Sequence, residues 1–258
     1  MPSKVGHVLI DADTLVYRVG FLALPDEEAY RKAIVKSFEI TIEECLRAFL
    51  KCHGTKGFSA IENGLYFTSR GVSLRSEFDQ ESVYKEHRKH VAKPKYVSQM
   101  KEEIQSRYPC LDVPLELGEA DDALSIKAHQ YRKTATDYII CGCDKDLWQI
   151  PGYHYNYLKK ECEYVTEQEA NRFFFKQLLM GDKADNIPGL HGIGPVKANY
   201  ILGDETDVEA LWDLVLGAYI SHYSVSLTED EITDIIYERA NKLWLRRKEG
   251  EIWVPPIP

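Results

Sequence analysis

Acidic side chains follow short apolar runs at three separate places along the chain. Asp11 follows Val8-Leu9-Ile10, an acidic pair follows the run that begins at Tyr138, and a third group follows Leu115 and Leu117. Such runs predict buried strands, and the carboxyl ends of strands in an open α/β sheet form its ligand crevice. We therefore expect these acids to meet at one edge of a sheet. The acids concerned are Asp11, Glu119, Asp121, Asp122, Asp144 and Asp146.

So many carboxylates in one crevice would repel one another unless cations neutralise them. Hard divalent cations prefer oxygen ligands, so an all-carboxylate set indicates Mg²⁺ or Mn²⁺ rather than zinc. Two such ions roughly 4 Å apart can clamp the attacking and leaving oxygens of an in-line phosphoryl displacement. A single acid after a strand is more commonly a helix N-cap or a solvated turn residue. The prediction of a metal site therefore depends on the three groups together.

The glycine-rich segment from Gly181 to Lys197 is the most specific pattern in the sequence. Gly192-Ile193-Gly194 would let the backbone approach a phosphate, because no Cβ stands in the way. Pro195 suits the first position of a following helix, whose N–H groups could bind a phosphate oxygen while Lys197 adds positive charge. The pattern predicts a helix-hairpin-helix motif that binds the DNA backbone independently of sequence. An ordinary glycine turn between two helices is the alternative.

The charge of the chain is unevenly distributed. Its net charge of −9 argues, taken alone, against a nucleic-acid-binding protein, because DNA is a polyanion. The stretch between Lys85 and Arg107 is nevertheless mostly basic, and such a segment can contact phosphate. We predict that it is helical with an interruption near Pro94, which would place Lys85 and Arg88 on one helix face. A solvated helix face is the alternative.

The order of predicted elements indicates an α/β fold. Strands that alternate with helices predict a mostly parallel sheet with helices on both faces. Strands are predicted at 8–10, 65–67, 111–117, 138–141 and 154–157. Helices are predicted at 26–52, 119–131, 167–180 and about 195–202, with a mostly helical region at 207–249.

The composition predicts a cytoplasmic protein that does not span a membrane. No apolar run is as long as a membrane span, which needs about 18 residues. The apolar run near the N-terminus is too short for a signal peptide. Six cysteines are present without a CxxC pair, which predicts reduced, structural thiols.

Five segments, in this order along the chain, resemble the 5′ nuclease or flap endonuclease superfamily. The likeness is greatest to bacteriophage 5′→3′ exonucleases and to the 5′-nuclease domain of bacterial DNA polymerase I, and it covers about residues 7–202. It implies a PIN-like nuclease domain over 1–165 with a helical arch at about 72–108, and a helix-hairpin-helix and C-terminal helical region over 166–258. The matching segments are Leu9-Ile10-Asp11, Tyr84-Lys85-Glu86-His87-Arg88, Gly118-Glu119-Ala120-Asp121-Asp122-Ala123, Asp144-Lys145-Asp146-Leu147, and Gly181 to Lys197.

The resemblance also implies roles for individual residues. Lys85 and Arg88 would contact the scissile phosphate, and Tyr84 would stack on a nucleobase near the cut. The glycine hairpin, with Gly192, Gly194 and Lys197, would bind DNA, and in this family it often holds a K⁺ ion. The first metal site would comprise Asp11, Glu119, Asp121 and Asp122, and the second Asp144, Asp146, Asp182 and Asp185.

The activity implied is that of a divalent-metal-dependent 5′→3′ exonuclease and structure-specific flap endonuclease. It would hydrolyse DNA phosphodiesters to 5′-phosphate products, with two or more Mg²⁺ or Mn²⁺ ions. Its partners would be DNA with 5′ ends, flaps or junctions, and the protein would act as a monomer. It would reside in the cytoplasm, that of a host bacterium if a phage encodes it.

The chain departs from the family at one acidic position. The family usually has an aspartate just after its second strand, some seven residues before an arginine resembling Arg75. Here the corresponding residues are Thr68 and Ser69, so the first metal would be held more weakly. Asp13 would compensate if the strand continued past Asp11, because the two residues would then share a face.

Two other functions were weighed against the nuclease. The first is a haloacid-dehalogenase-like phosphatase, because Asp11-Ala12-Asp13-Thr14 resembles its nucleophile motif and Gly181-Asp182 with Asp185 loosely resembles its metal motif. That function leaves the other acidic groups and the glycine hairpin unexplained. The second is a non-catalytic protein that binds DNA junctions, which the missing acid at Thr68 would favour.

Overall fold

The structure is a computed structural model that describes residues 4–55, 57–67, 73–86, 92–112 and 119–256. It divides into two compact units. The first comprises Met1–Gly71 and Ala92–Val165, and the second comprises Val72–Val91 and Thr166–Pro258. No helix in the described ranges is long and apolar enough to cross a membrane.

The first unit is built on a six-stranded sheet with the order β3-β2-β1-β4-β5-β6. The first five strands in that order are parallel, and β6 pairs antiparallel with β5 at the edge. The predicted mostly parallel α/β sheet is confirmed, whereas β6 was not predicted from the sequence. The strands are β1 Lys4–Asp11, β2 Phe58–Phe67, β3 Cys110–Asp112, β4 Tyr138–Cys141, β5 Gly152–Asn156 and β6 Glu161–Val165.

Helices cover the sheet and create the core of the first unit. On β1, Val8 and Ile10 pack in one apolar cluster with Ile34 and Phe38 of the long helix α2. Leu9 points to the opposite face, where α4 packs against β1, β2 and β4. The helices are α1 Asp13–Gly20, α2 Glu27–His53, α3 Val97–Gln105 and α4 Ala120–Lys133.

Local sequence signals explain the ends of α2. The helix begins after Asp26, whose side chain accepts a hydrogen bond of 2.9 Å from the N–H of Ala29. An aspartate in this position satisfies an N–H group that has no partner within the helix. The helix ends at Gly54, whose φ of 83° favours glycine. The predicted helix at 26–52 is therefore confirmed.

The second unit is mainly helical. Its apolar core includes Phe174, Leu178, Trp212 and Ile236. Two short strands form an antiparallel pair between its first two helices. Its elements are a 3-10 turn Leu74–Phe78, α5 Glu167–Met180, β7 Gly181–Asp182, β8 Ile187–Pro188, α6 Pro195–Leu202, α7 Val208–Tyr223 and α8 Glu229–Leu243.

Two predictions about local structure were wrong. Strand β1 ends at Asp11 and helix α1 begins at Asp13, so these residues do not share a strand face. Lys85 is not helical either: its φ is 54°, and its N–H donates to the carbonyl of Asp185. A backbone held in the left-handed region cannot belong to a regular α-helix.

The segment predicted as an arch, at about 72–108, is divided between the units. Its described residues up to 86 belong to the second unit, whereas α3 packs against α1 and α2 in the first. The arch therefore stays a prediction. Thr68, Ser69 and Arg88, on which other predictions depend, lie outside the described residues.

Candidate functional site

Asp11 stands at the carboxyl end of β1, in the turn that leads into α1. Its Oδ1 accepts a hydrogen bond of 3.2 Å from the N–H of Asp13, and its Oδ2 accepts one of 3.3 Å from Thr14 Oγ1. The Tyr157 hydroxyl donates to the Asp11 carbonyl at 3.0 Å. These contacts fix the strand end and orient its carboxylate. The side chain shares a strand face with Leu9, the face that α4 covers.

The charges around Asp11 make its ionised form unfavourable. Burial first, and then the neighbouring carboxylates of Asp13 and Asp144, raise the pKa of Asp11 from 3.8 to about 7. Like charges so close to one another disfavour ionisation, whereas a nearby cation would favour it. This side-chain environment therefore favours the binding of a cation.

Asp144 reaches Asp11 because β4 is the neighbour of β1 in the sheet. Ile10 pairs with Cys141, and the chain then passes close to Asp11 through Gly142. A Cβ added at Gly142 would lie 3.3 Å from the Asp11 Cβ and 2.3 Å from Leu147 Cδ1. Glycine is therefore needed for this close approach.

Asp144 also has an ordinary structural role. Its Oδ1 accepts a hydrogen bond of 3.0 Å from the N–H of Asp146 and so caps the 3-10 turn Lys145–Gln149. This is the cap that single acids after strands commonly form. Capping occupies one carboxylate oxygen and is compatible with a metal ligand through the other.

The third acidic group lies at the start of α4. Glu119 is the N-cap residue of this helix, and Asp122 is fully buried. The Asp121 carboxylate accepts a hydrogen bond of 2.8 Å from the N–H of Asp122. The positive end of a helix dipole favours acids there. Because α4 follows the parallel strand β3, it begins at the same sheet edge at which β1 and β4 end.

Asp13 and Asp144 are the acids whose charges act on Asp11, and they are not arranged around it as metal ligands. In the described ranges, no three side chains of His, Cys, Asp or Glu have the geometry to hold a metal ion. Lys101 of α3 forms an ion pair of 2.5 Å with Asp13. The oxygen chemistry of the group matches hard divalent cations. The compensating role of Asp13 stays a prediction.

In the second unit, Asp182 ends strand β7 and Asp185 lies in the tight turn between β7 and β8. Asp182 Oδ1 accepts a hydrogen bond of 2.8 Å from the N–H of Ala184, and the Asp185 N–H donates to the Asp182 carbonyl at 3.3 Å. Both side chains are buried. The sequence assigned them to the second metal site by family resemblance, and that assignment stays a prediction.

Tyr84 and Lys85 are attached to Asp185. The Tyr84 hydroxyl donates to Asp185 Oδ2 at 3.0 Å, and Lys85 Nζ lies 3.8 Å from the same oxygen. Lys85 Nζ also lies 4.6 Å from the centroid of the Tyr84 ring. Tyr84 is only 7% exposed, so stacking on a nucleobase would require the ring to leave this position.

The predicted hairpin joins α5 to α6. Gly192 has a φ of 75°, and Gly194 is the N-cap residue of α6 and has no side chain to cap it. A Cβ at Gly194 would have no neighbour within 4 Å, and one at Gly192 would meet only Lys197 Nζ at 3.9 Å. The backbone at both glycines is thus open to an approaching group.

Two other glycines in the hairpin have a packing role. A Cβ at Gly189 would lie 2.1 Å from the Met180 carbonyl carbon, and one at Gly181 would lie 2.3 Å from the Gly189 nitrogen. Any side chain would collide with backbone atoms that cannot move independently. The segment therefore contains glycines of two kinds, one kind for close packing and one for an open surface.

Sequence reasoning missed several residues that hold the predicted ones in place. Thr14 belongs to a motif that was noticed only for its likeness to a phosphatase, and Lys101 was one basic residue among many. Asp79 accepts a hydrogen bond of 2.9 Å from the Tyr84 N–H. The partner of Lys101, Asp13, is distant in sequence, so no local pattern could indicate that contact.

Comparison with solved structures identifies the fold. The bacteriophage T5 flap endonuclease, in a complex with DNA and metal ions, matches with a TM-score of 0.59 at 16% sequence identity, over 91% of this chain and 89% of that chain. A T5 5′-exonuclease with bound zinc matches with a TM-score of 0.53 at 16% identity, over 91% and 99% of the two chains. At this level of identity the likeness establishes the fold alone.

Sequence comparison finds relatives with two names, and no family model matches. DNA polymerase I of Rhizobium leguminosarum is 34% identical over 112 residues, which is 40% of this chain and 11% of that protein. DNA polymerase I of Thermus thermophilus is 26% identical over 215 residues, 79% of this chain and 24% of that protein. A 5′-3′ exonuclease of Buchnera aphidicola is 28% identical over 104 residues, 37% of this chain and 36% of that protein.

The chain thus spans well under half the length of each of these relatives. Their names, together with the fold, confirm the resemblance of the chain to the 5′ nuclease superfamily.

Proposed function

We propose that this chain, with its resemblance to the 5′ nuclease superfamily, is a divalent-metal-dependent 5′→3′ exonuclease and flap endonuclease that cuts DNA. The observation that carries the proposal is the convergence of Asp11, Asp13 and Asp144 at the carboxyl edge of a parallel sheet, where burial and then the two neighbouring carboxylates raise the pKa of Asp11. Acids that repel one another in this way are stabilised by cations. Mg²⁺ or Mn²⁺ suits the oxygen ligands best.

The residues of the first unit would provide most of the metal ligands. Asp11 would hold the first ion together with the acids at the start of α4, namely Glu119, Asp121 and Asp122. Asp144 and Asp146 would hold the second ion, with Asp182 and Asp185 completing it. Bound ions would supply Lewis-acid chemistry, activating water for attack on phosphorus and stabilising the leaving oxygen.

The remaining predicted residues would bind the nucleic acid. Lys85 and Arg88 would stabilise negative charge on the phosphoryl oxygens of the scissile group. Gly192, Gly194 and the free N–H groups at the start of α6 would bind a backbone phosphate, with Lys197 adding charge. A K⁺ ion between hairpin carbonyls and the DNA phosphate belongs to this proposal. Support comes from the exposed backbone at the two glycines.

The substrates we propose are DNA molecules with 5′ ends, flaps or junctions, cut to leave 5′-phosphate products. The protein would act as a monomer in the cytoplasm, without a membrane partner. The T5 flap endonuclease, whose fold the chain shares, was solved in a complex with DNA and metal ions. That structure supports the choice of DNA and of metal dependence.

Cleavage of 5′-labelled flap, nicked and blunt duplexes in Mg²⁺ and in EDTA tests the proposal. We expect cleavage only with the metal, and a loss of about 100-fold or more in the Asp11→Asn variant, because a central ligand is removed. Asp137→Asn is the matched control. It makes the same chemical change at the opposite end of β4, where Asp137 pairs with Lys4, and we expect it to cleave normally.

Two outcomes would contradict the proposal. Tight binding of flap DNA in Mg²⁺ without cutting by the wild-type protein would indicate the non-catalytic junction-binding protein. Hydrolysis of small phosphate monoesters through a trapped aspartyl-phosphate would indicate the phosphatase. The length of the labelled products separates the two cutting modes, since exonuclease action releases mononucleotides and flap cutting releases oligonucleotides.

A further inference from the structure

Helix α8 lies in the part of the chain beyond the family resemblance and buries three charged side chains. Glu238, Arg239 and Lys242 are 4%, 1% and 2% exposed. Burying a charge carries a penalty of several kcal/mol unless the group is paired and fully hydrogen-bonded. Each of the three therefore needs specific partners. Each of them has a partner within residues 79–82, just before Tyr84 and Lys85.

Glu238 binds the backbone of this segment. Its carboxylate accepts the N–H of Glu81 at 2.8 and 3.0 Å, and the N–H of Ser82 at 3.3 Å. Hydrogen bonds from backbone N–H groups to a carboxylate are charge-assisted and stronger than neutral ones. Two successive residues of the loop are thus fixed to one side chain of α8.

Arg239 binds the same segment through a two-pronged ion pair. Its Nε and Nη2 donate to the two carboxylate oxygens of Glu81 at 2.8 and 2.5 Å. Its other donors reach the hydroxyls of Tyr219 and Tyr223 at 3.2 Å. The planar guanidinium fixes the direction of its partner as well as the distance.

Lys242 connects the network to the backbone of Tyr84. Its Nζ donates to the Ser82 carbonyl at 2.5 Å and lies 3.1 Å from Asp79 Oδ1. The same Asp79 oxygen accepts the N–H of Tyr84 at 2.9 Å. The next residue, Lys85, then bonds to Asp185.

We propose that Glu238, Arg239 and Lys242 are positioning residues for the proposed nuclease, holding the 79–86 loop so that the Lys85 amine is correctly placed. The inference rests on the proposed function, in which Lys85 contacts the scissile phosphate. Lys85 has a φ of 54°, a conformation that persists only where the surroundings hold it. The buried hydrogen bonds and ion pairs of Glu238, Arg239 and Lys242 hold the loop in this conformation.

The Glu238→Gln variant tests the positioning role. This substitution keeps the shape of the side chain but removes the negative charge that forms an ion pair with Lys242. We expect faster hydrogen exchange at the amides of Glu81, Ser82 and Lys85, and a single-turnover cleavage rate lower by about 10- to 100-fold, as for misplaced catalytic groups generally. DNA affinity measured without divalent ions should stay unchanged.

A double variant separates positioning from general loss of stability. In a Lys85→Ala background, Glu238→Gln should lower the cleavage rate no further, because both changes remove the same contribution. If the two losses multiply, Glu238 does not act through Lys85 and the inference is wrong.

Asn241→Ala is the matched control on the same helix. Asn241 is also buried, but its side chain bonds to the N–H and carbonyl of Trp253 and to the carbonyl of Tyr237, all outside the loop. We expect this variant to be less stable than the wild-type protein. Hydrogen exchange at residues 79–86 and the cleavage rate should both be unchanged. Equal effects of both variants on exchange in the loop would overturn the inference. A wild-type protein that does not cleave would refute the proposed function, while the exchange measurement would still test the contact.

Discussion

Asp11 shows most clearly how a residue's surroundings indicate a ligand. Burial and the neighbouring carboxylates raise the pKa of Asp11 to about 7, so its ionised form is unfavourable at the end of the strand. Asp11 nevertheless keeps donors on both oxygens, from the Asp13 backbone and from Thr14. These two hydrogen bonds orient a side chain whose own charge is disfavoured by burial and then by Asp13 and Asp144. A bound cation would stabilise the ionised form of this oriented carboxylate.

The raised pKa of Asp11 predicts a pH-dependent stability for the metal-free protein. Because its folded pKa, about 7, lies above the unfolded value of 3.8, the folded state binds more protons between these values. The free energy of unfolding therefore falls as pH rises through this window. Asp11→Asn removes this penalty, which is at most about 4 kcal/mol, since one pKa unit corresponds to about 1.4 kcal/mol.

Thermal unfolding in EDTA checks this prediction. At pH 8 the variant should have a higher Tm than the wild-type protein, by about 2–4 °C for each kcal/mol. At pH 4 the difference should disappear. Saturating Mg²⁺ should raise the Tm of the wild-type protein more than that of the variant, since binding to the folded state stabilises it and the variant lacks one ligand. A variant less stable than the wild type at pH 8 would contradict the assignment.

At the scale of the element, the sequence predicted the helices and strands that local periodicity defines. It failed where contacts with other segments of the chain determine the structure. The strand at 138–141 and the helix at 167–180 are confirmed at the predicted bounds. Lys85 was predicted to lie in a helix, but the N–H groups of Tyr84 and Lys85 bond to Asp79 and Asp185 and hold the chain in a turn. Strand β6 was missed because only its pairing with β5 defines it.

The candidate site was likewise predicted only in part. Its acids could be recognised because each follows an apolar run, which is a local signal. The Lys101 partner of Asp13 and the network on α8 could not, because residues far apart in sequence form them.

The two kinds of glycine in the hairpin predict opposite effects of the same substitution. Gly189→Ala should lower the free energy of unfolding by about 1–3 kcal/mol or more, because the new methyl group would overlap the Met180 backbone. Gly194→Ala should leave stability nearly unchanged, since no atom lies within 4 Å of the added Cβ. It should instead weaken the binding of duplex DNA.

Chemical denaturation and DNA binding, measured on both variants at one salt concentration, check the pair. Salt must be fixed because phosphate contacts weaken steeply as salt rises. A Gly194→Ala variant that binds DNA normally would show that the backbone at this position does not approach phosphate.

At the scale of the whole molecule, an acidic protein is proposed to bind a polyanion. The net charge of −9 would repel DNA if it were spread evenly. Asp11, Asp13 and Asp144 are instead close neighbours, and cations bound at the proposed metal site would offset their charge. DNA binding and metal binding are then coupled, so DNA should bind more tightly when divalent ions are present.

Locating Mn²⁺ in crystals by anomalous scattering tests the central claim most directly. The account predicts a peak at coordination distance, roughly 2 Å, from the carboxylate oxygens of Asp11, with a second ion beside Asp144. The same experiment on Asp11→Asn should lose the first peak. Crystals of the wild-type protein in saturating Mn²⁺ with no ion bound to either aspartate would contradict the account.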